Sequence, residues 1–326
     1  MADSAEHTLH LEDVLRTATK ALVIGVGGGG DIVGAIPTAR FLEQFRIACI
    51  LGGLSWERFV YDPQPGTRTL AEVQHVRSLT PTVWLANAQT QTTTGVRFAE
   101  SGIAEFYNTE TLLIDLSQGV PGVVSGLRTA MQHLQADLLV GVDVGGDSLA
   151  AGHEPGLRSP LADAMMLAAL RQLSDEFPCL WGVFGYGSDA ELTTREIDQA
   201  LSRVAQHSGL LGAWGMTPVV AAELRRVIAQ VRTEASAVAV ECAEGAYGTR
   251  TIRDGTRIVE LSPVCTVTFY LSPSVLFEHV AALARAVAGA TSLEAASTIL
   301  CGLGVRTEYA FEQEMLRRGA RHYDQT

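Results

Sequence analysis

The stretch Ala21-Leu22-Val23-Ile24-Gly25-Val26-Gly27-Gly28-Gly29-Gly30-Asp31 constrains the fold more than any other part of the chain. A short apolar run ending in glycines reads as a buried strand that enters a tight turn. Asp31 to Phe45 follows with helical spacing, its apolar side carrying Ile32, Ile36 and Phe41. Arg46 to Leu51 then reads as a second strand. Strand, glycine turn, helix and strand within about thirty residues form the βαβ pattern of a parallel sheet.

The alternation continues. Thr82 to Ala86, Thr111 to Asp115, Asp137 to Val142 and Leu180 to Phe184 are further short apolar runs, and Pro121 to Leu134 has helical spacing. Ser159-Pro160 predicts a helix start, with serine as cap and proline at the first helical position. Thr193 with Glu196, and Thr291 with Glu294, read as capping signals. Thr217-Pro218 opens another helix, and Glu308 to Arg318 forms a last one. Thr249 to Leu271 differs: two alternating stretches flank Asp254-Gly255, a hairpin signal. The expectation is an N-terminal arm over 1–20 and a single α/β domain over 21–326. Its sheet is Rossmann-like and largely parallel, flanked by helices, with a C-terminal β-hairpin region. With 326 residues, 47% of them hydrophobic and 18% charged, the chain can bury a large core.

The formal net charge of −12 repels phosphate backbones and argues against nucleic acid as a partner. A small anion is still admissible, because local backbone amides hold phosphate against the global field. Met1 to Lys20 is polar and acidic without an apolar signal core, and no apolar run reaches the roughly 18 residues of a membrane span. A cytoplasmic protein free of membrane is expected. Cys49, Cys179, Cys242, Cys265 and Cys301 are odd in number, far apart and without a CxxC pair, as free thiols in a reducing compartment are.

Chemistry is expected in the loops that follow strands, because parallel strands bring those loops to one edge. Gly27, Gly28, Gly29 and Gly30, with Asp31 opening a helix, offer backbone amides to a phosphate or carboxylate. Gly25, Gly27 and Gly30 match G-x-G-x-x-G, but Leu51-Gly52-Gly53 stands where the dinucleotide fingerprint has its acid, and a Walker ending is absent. After the second strand come Gly53, Trp56 as a flat face for a base or sugar, and Glu57. Asn87, Gln89 and Gln118 add uncharged hydrogen-bonding groups. Asp143-Val144-Gly145-Gly146-Asp147 sets two carboxylates on a glycine turn, suited to a divalent ion such as Mg²⁺, to sugar hydroxyls, or to capping the turn itself. His153 and Glu154 follow as candidates for proton transfer. Gly185 to Glu191 repeats the theme with Asp189 and Glu191. No spacing of histidines suits zinc.

Gly25 to Pro37, Leu51 to Pro65, Gly141 to Asp163 and Val183 to Thr193 together resemble a bacterial and archaeal family of unknown function, domain family 1152. In the fourth stretch the family pattern carries glycine where Ala190 stands, and proline nearer Tyr186. The chain also resembles a sugar-transfer enzyme of actinobacterial antibiotic assembly, the one of lincosamide pathways, which joins a nucleotide-activated sugar to the thiol of ergothioneine. That likeness implies a glycosyltransferase. The Gly27 to Gly30 turn would hold the diphosphate, and Asp143 and Asp147 the hydroxyls or a metal. His153 or Glu154 would take the acceptor's proton. A metal-assisted hydrolase and a non-catalytic ligand-binding protein are the rival expectations. The apolar stretch Phe277 to Val287 suits core packing or a contact between subunits of a homo-oligomer.

Overall fold

The computed structural model describes residues 9–253 and 255–319. Residues 1–8 of the expected arm and Asp254 of the expected hairpin turn lie outside the described residues. The first half of the chain runs α1 (Leu11–Thr17), β1 (Lys20–Gly25), α2 (Asp31–Glu43), β2 (Ala48–Leu54), β3 (Val73–Ser78), β4 (Val83–Thr92), α3 (Ala99–Tyr107), β5 (Thr111–Ile114), α4 (Gly119–Leu134) and β6 (Leu138–Val144). Then come α5 (Pro160–Leu173), β7 (Cys179–Phe184), α6 (Thr194–Gln206), β8 (Leu210–Gly215), α7 (Pro218–Ile228), α8 (Ala235–Ala243), β9 (Gly248–Ile252) and β10 (Arg257–Leu261). The chain ends with β11 (Val267–Leu271), α9 (Pro273–His279), α10 (Ala282–Val287), α11 (Leu293–Gly302) and α12 (Glu308–Arg318).

Among the described residues, nine strands form one sheet in the order β3-β4-β5-β2-β1-β6-β7-β11-β8. The five central strands, β5-β2-β1-β6-β7, are parallel. Numbered among themselves in chain order they read 3-2-1-4-5, the Rossmann arrangement. The order reverses between β1 and β6, so crevices open at the carboxyl ends of those two strands. Both margins are antiparallel: β4 and β3 on one side, β11 and β8 on the other.

The centre is parallel because its strands are apolar on both faces. Leu22 and Ile24 of β1 join the core layer of α4, α5, α10 and α11, while Ala21 and Val23 join the layer of α1, α2 and α7. Leu283, Ala284 and Val287 of the late apolar stretch lie in the first of these layers. Gly25 lets α2 press onto the end of β1: a Cβ there would stand 2.3 Å from the carbonyl carbon of Asp31.

The predicted hairpin is present as β9 and β10. The rest of Thr249 to Leu271 does not stay with it, since β11 crosses into the main sheet between β7 and β8. The edge strand β3 was not expected from the sequence. Its exposed Gln74, His75, Arg77 and Ser78 hide the alternation that marks a strand. The capping box of Thr193 and Glu196 forms as expected. The cap expected at Thr291 is moved by one residue: Ser292 accepts the Ala295 N–H at 3.1 Å.

Candidate functional site

The loops after β1, β2, β6 and β7 meet over the switch point and form a cleft of about 820 Å³, its open mouth included. Its floor is the turn Gly27 to Gly29 with Asp31. One wall is Trp56, Glu57, Arg58 and Phe59; the other is Asp147, Ser159, Asp163 and Asp189. Thr233, Glu234 and Arg253, with Glu308 and Glu312 of α12, complete the lining.

The glycine turn is built by its backbone. Gly28, Gly29 and Gly30 take φ of 74°, 58° and 112°, the left-handed region. Two of its amides are engaged inside the protein. Gly27 N–H donates to Asp31 Oδ2 at 3.0 Å, and Gly29 N–H to the Trp56 carbonyl at 2.9 Å. Asp31 therefore braces the turn from the first position of α2 and does not cap that helix, whose cap residue is Gly30. Gly30 packs against Arg232 and Thr233 and does not itself line the cleft.

The β6 loop is held by Asp143. This fully buried carboxylate accepts Gly146 N–H at 3.0 Å, Ser148 N–H at 3.1 Å and the Ser148 hydroxyl. Gly146 thus orients Asp143 from behind the lining. Beyond β7, Asp189 accepts the Glu191 N–H at 3.1 Å and faces the cleft. Glu191 turns away from it. Its oxygens accept Arg158 N–H, Ser159 N–H, the Ser159 hydroxyl and Arg257 Nη1 at 2.7, 2.9, 2.5 and 3.0 Å. Ser159 is consequently not the side-chain cap of α5. Glu308 does that work, accepting Leu161 N–H at 3.0 Å and Ala162 N–H at 2.8 Å.

The cleft is strongly acidic. Burial first, then the neighbouring carboxylates, push Asp31, Asp147 and Asp163 well above the usual carboxylate range. Burial likewise raises Glu57 and Glu308 to about 7 and Glu312 to about 8. Glu57 accepts the Ala99 N–H at 2.7 Å and so caps α3. Glu312 accepts the Gly66 N–H at 2.8 Å and the Trp56 indole N–H at 3.1 Å. Trp56 is 5% exposed. It is a fixed wall rather than an open stacking face.

The structure brings together Gly27, Gly28, Gly29, Asp31, Trp56, Glu57, Asp147 and Asp189, with Asp143 directly behind them. It does not bring in Gly53, which faces Glu100 under the sheet. Asn87 and Gln89 leave by the opposite edge, because β4 runs antiparallel to β5. Gln118 lines a separate hollow with Thr80, Thr82 and Gly122. His153 is exposed and outside the lining, and Glu154 closes its own turn through Ala151 N–H and Gly152 N–H. Neither stands where the expected proton transfer would occur.

Asp163, Glu308, Glu312 and Arg253 were not singled out from the sequence. Asp163 had a signal: it is the one acid in Pro160–Leu173, where nearly every other residue is buried.

A Rossmann-ordered α/β protein with an acidic cleft at its switch point is the class that fold and site define. Over residues 22–316 the chain matches the family model described as protein of unknown function DUF1152, and it belongs to that family. Comparison with curated proteins finds no match, and comparison with solved structures finds none. Among the described residues, no helix is long and apolar enough to cross a membrane.

Proposed function

We propose that the cleft is the active site of a glycosyltransferase that moves a sugar from a nucleotide-activated donor to a small acceptor, such as a thiol. The observation that supports this most is the meeting of the Gly27 to Gly29 turn with Asp147, Asp163 and Asp189 across one crevice at the switch point. Carboxylates accept hydrogen bonds from sugar hydroxyls in pairs, which fixes a sugar ring. The glycine turn admits a phosphate to the backbone without a Cβ in the way. Trp56, Phe59 and Val144 add apolar surface to the lining. Rate would come mainly from positioning and from stabilising charge on the leaving diphosphate. A thiol acceptor asks little of a base, since thiolates form readily near neutral pH. Carboxyls held near neutrality at the cleft's edge, Glu57 and Glu308, suit proton uptake.

Calorimetry with a panel of nucleoside diphosphate sugars tests the donor. Heat with at least one donor, and nucleotide release that requires a thiol or hydroxyl acceptor, is the expected result. No heat with any donor ends the reading.

The excess of carboxylates favours one rival, hydrolysis of a phosphorylated or sugar-like substrate by a carboxylate-activated water. Nucleotide release at the same rate with and without acceptor would select it.

A further inference from the structure

We propose that the cleft holds one divalent cation of the hard, oxygen-seeking kind on Asp143, Asp147 and Asp163, beside the glycine turn.

One oxygen from each of these three side chains lies within 4.8 Å of the other two, close enough to share an ion. All three are buried. Three such charges cannot stay ionised together out of water without a counter-charge. The arginines nearby are engaged with other acids: Arg257 pairs with Glu191 at 3.0 Å, and Arg58 and Arg253 with Glu234 at 3.3 and 3.9 Å.

A second observation points to a ligand. Asp163 is 1% exposed and lines the cleft, yet its Oδ1 is buried without a hydrogen-bond partner. An unpaired buried acceptor of that kind costs free energy that an ion would recover. Its other oxygen looks toward Gly27, where an added Cβ would stand 3.3 Å away. The missing side chain leaves room between the β1 turn and the β6 loop.

The neighbouring set Asp147, Asp189 and Glu191 has the same compactness. Acceptor capacity separates the two. An ionised carboxylate offers about four lone-pair positions. Glu191 uses four on Arg158, Ser159 and Arg257, so none is left for a metal. Asp143 uses three, on Gly146 and Ser148, and its fourth is shared with the Asp147 carboxyl, itself one of the three proposed ligands, so an ion would take the place of that contact. Metal-bound carboxylates are commonly oriented by just such outer hydrogen bonds. The ligands are all oxygen, with no sulfur or imidazole among the three, which selects Mg²⁺, Mn²⁺ or Ca²⁺ over zinc.

The site stands independently of glycosyl transfer, because the ion would bind with no sugar present. It would also remove an obstacle to that reading. A diphosphate entering this cleft meets Asp31, Asp147 and Asp163; an ion among them would offset much of that repulsion at short range.

The test uses the full chain, stripped with EDTA and dialysed. Mn²⁺ is titrated in and free Mn²⁺ followed by its electron paramagnetic resonance signal, with Mg²⁺ as competitor. One Mn²⁺ per chain is expected, displaced by Mg²⁺. Asp163→Asn keeps the size and shape of the side chain but removes its charge, and should weaken binding by at least roughly 10-fold. Glu312→Gln, in the same cleft but outside the ligand set, should leave the affinity within about 3-fold. Absence of binding, two ions per chain, or Asp163→Asn binding like the parent would each overturn the proposal. Mn²⁺ binding without nucleotide-sugar heat would count against the transferase alone, and heat without Mn²⁺ binding against the cation alone.

Discussion

Single residues in this protein show where stability has been set against something else. Asp163 places an unpaired oxygen among other carboxylates, so the cation-free protein should gain from losing its charge. Asp163→Asn is expected to raise the melting temperature of the EDTA-treated chain by roughly 1–3 °C. An unchanged or lower value by differential scanning calorimetry would mean that the carboxylate is satisfied after all. Ala190 is a second case. It holds φ 60°, in the left-handed region that favours glycine. The left-handed conformation costs an L-residue roughly 1–2 kcal/mol, and glycine's extra freedom in the unfolded chain takes back about 0.5–1 kcal/mol. Ala190→Gly should therefore stabilise by about 0–1.5 kcal/mol in denaturant titration. Glu312 carries a pH signature. Burial lifts its carboxyl from 4.5 to about 8 in the folded chain. Between those values the folded state keeps a proton that the unfolded state has lost, so stability falls as pH rises through that window. Glu312→Gln keeps an oxygen for Gly66 and Trp56 and should flatten the decline in melting temperature between about pH 5 and about pH 8. Glu57 and Glu308 shift in the same direction, so part of the slope should survive.

Elements were legible wherever the chain punctuates itself. The runs that became β1, β6 and β7 end in glycine, and the loops after them reached the cleft as expected. What strand composition does not carry is direction. The segment that became β4 reads as a strand in either sense, and its antiparallel course sends Asn87 and Gln89 to the far edge. Composition also does not reveal which helix will end against which. Glu308 sits in α12, about 150 positions from the α5 amides it caps, a pairing made by tertiary packing alone. That cap supports the first turn of the helix carrying Asp163. Glu308→Ala should cost roughly 0.5–2 kcal/mol and speed hydrogen exchange at Leu161 and Ala162. Glu308→Gln, which keeps an acceptor there, should restore most of both. Equal exchange in all three proteins would show that α5 does not depend on α12.

At the scale of the whole molecule, the acidic balance that the sequence displays becomes concentrated at one place. The chain carries −12 overall, and the switch-point cleft adds Asp31, Asp147, Asp163 and Asp189 to one small volume. A nucleotide sugar bears negative charge, so long-range attraction cannot guide it in. Only charges within about 10 Å act strongly at moderate salt, and there the outcome depends on whether a cation has neutralised the carboxylates. Association of a fluorescent nucleotide sugar should consequently speed up as salt is raised from about 20 mM to about 300 mM, the reverse of ordinary electrostatic steering. Stopped-flow measurement at saturating Mg²⁺ tests this. A rate that falls with salt would mean that the loaded cleft presents a net positive face and that the global charge does not reach it. A rate indifferent to salt would place the donor's entry on a face where neither field is felt, away from Asp147 and the glycine turn.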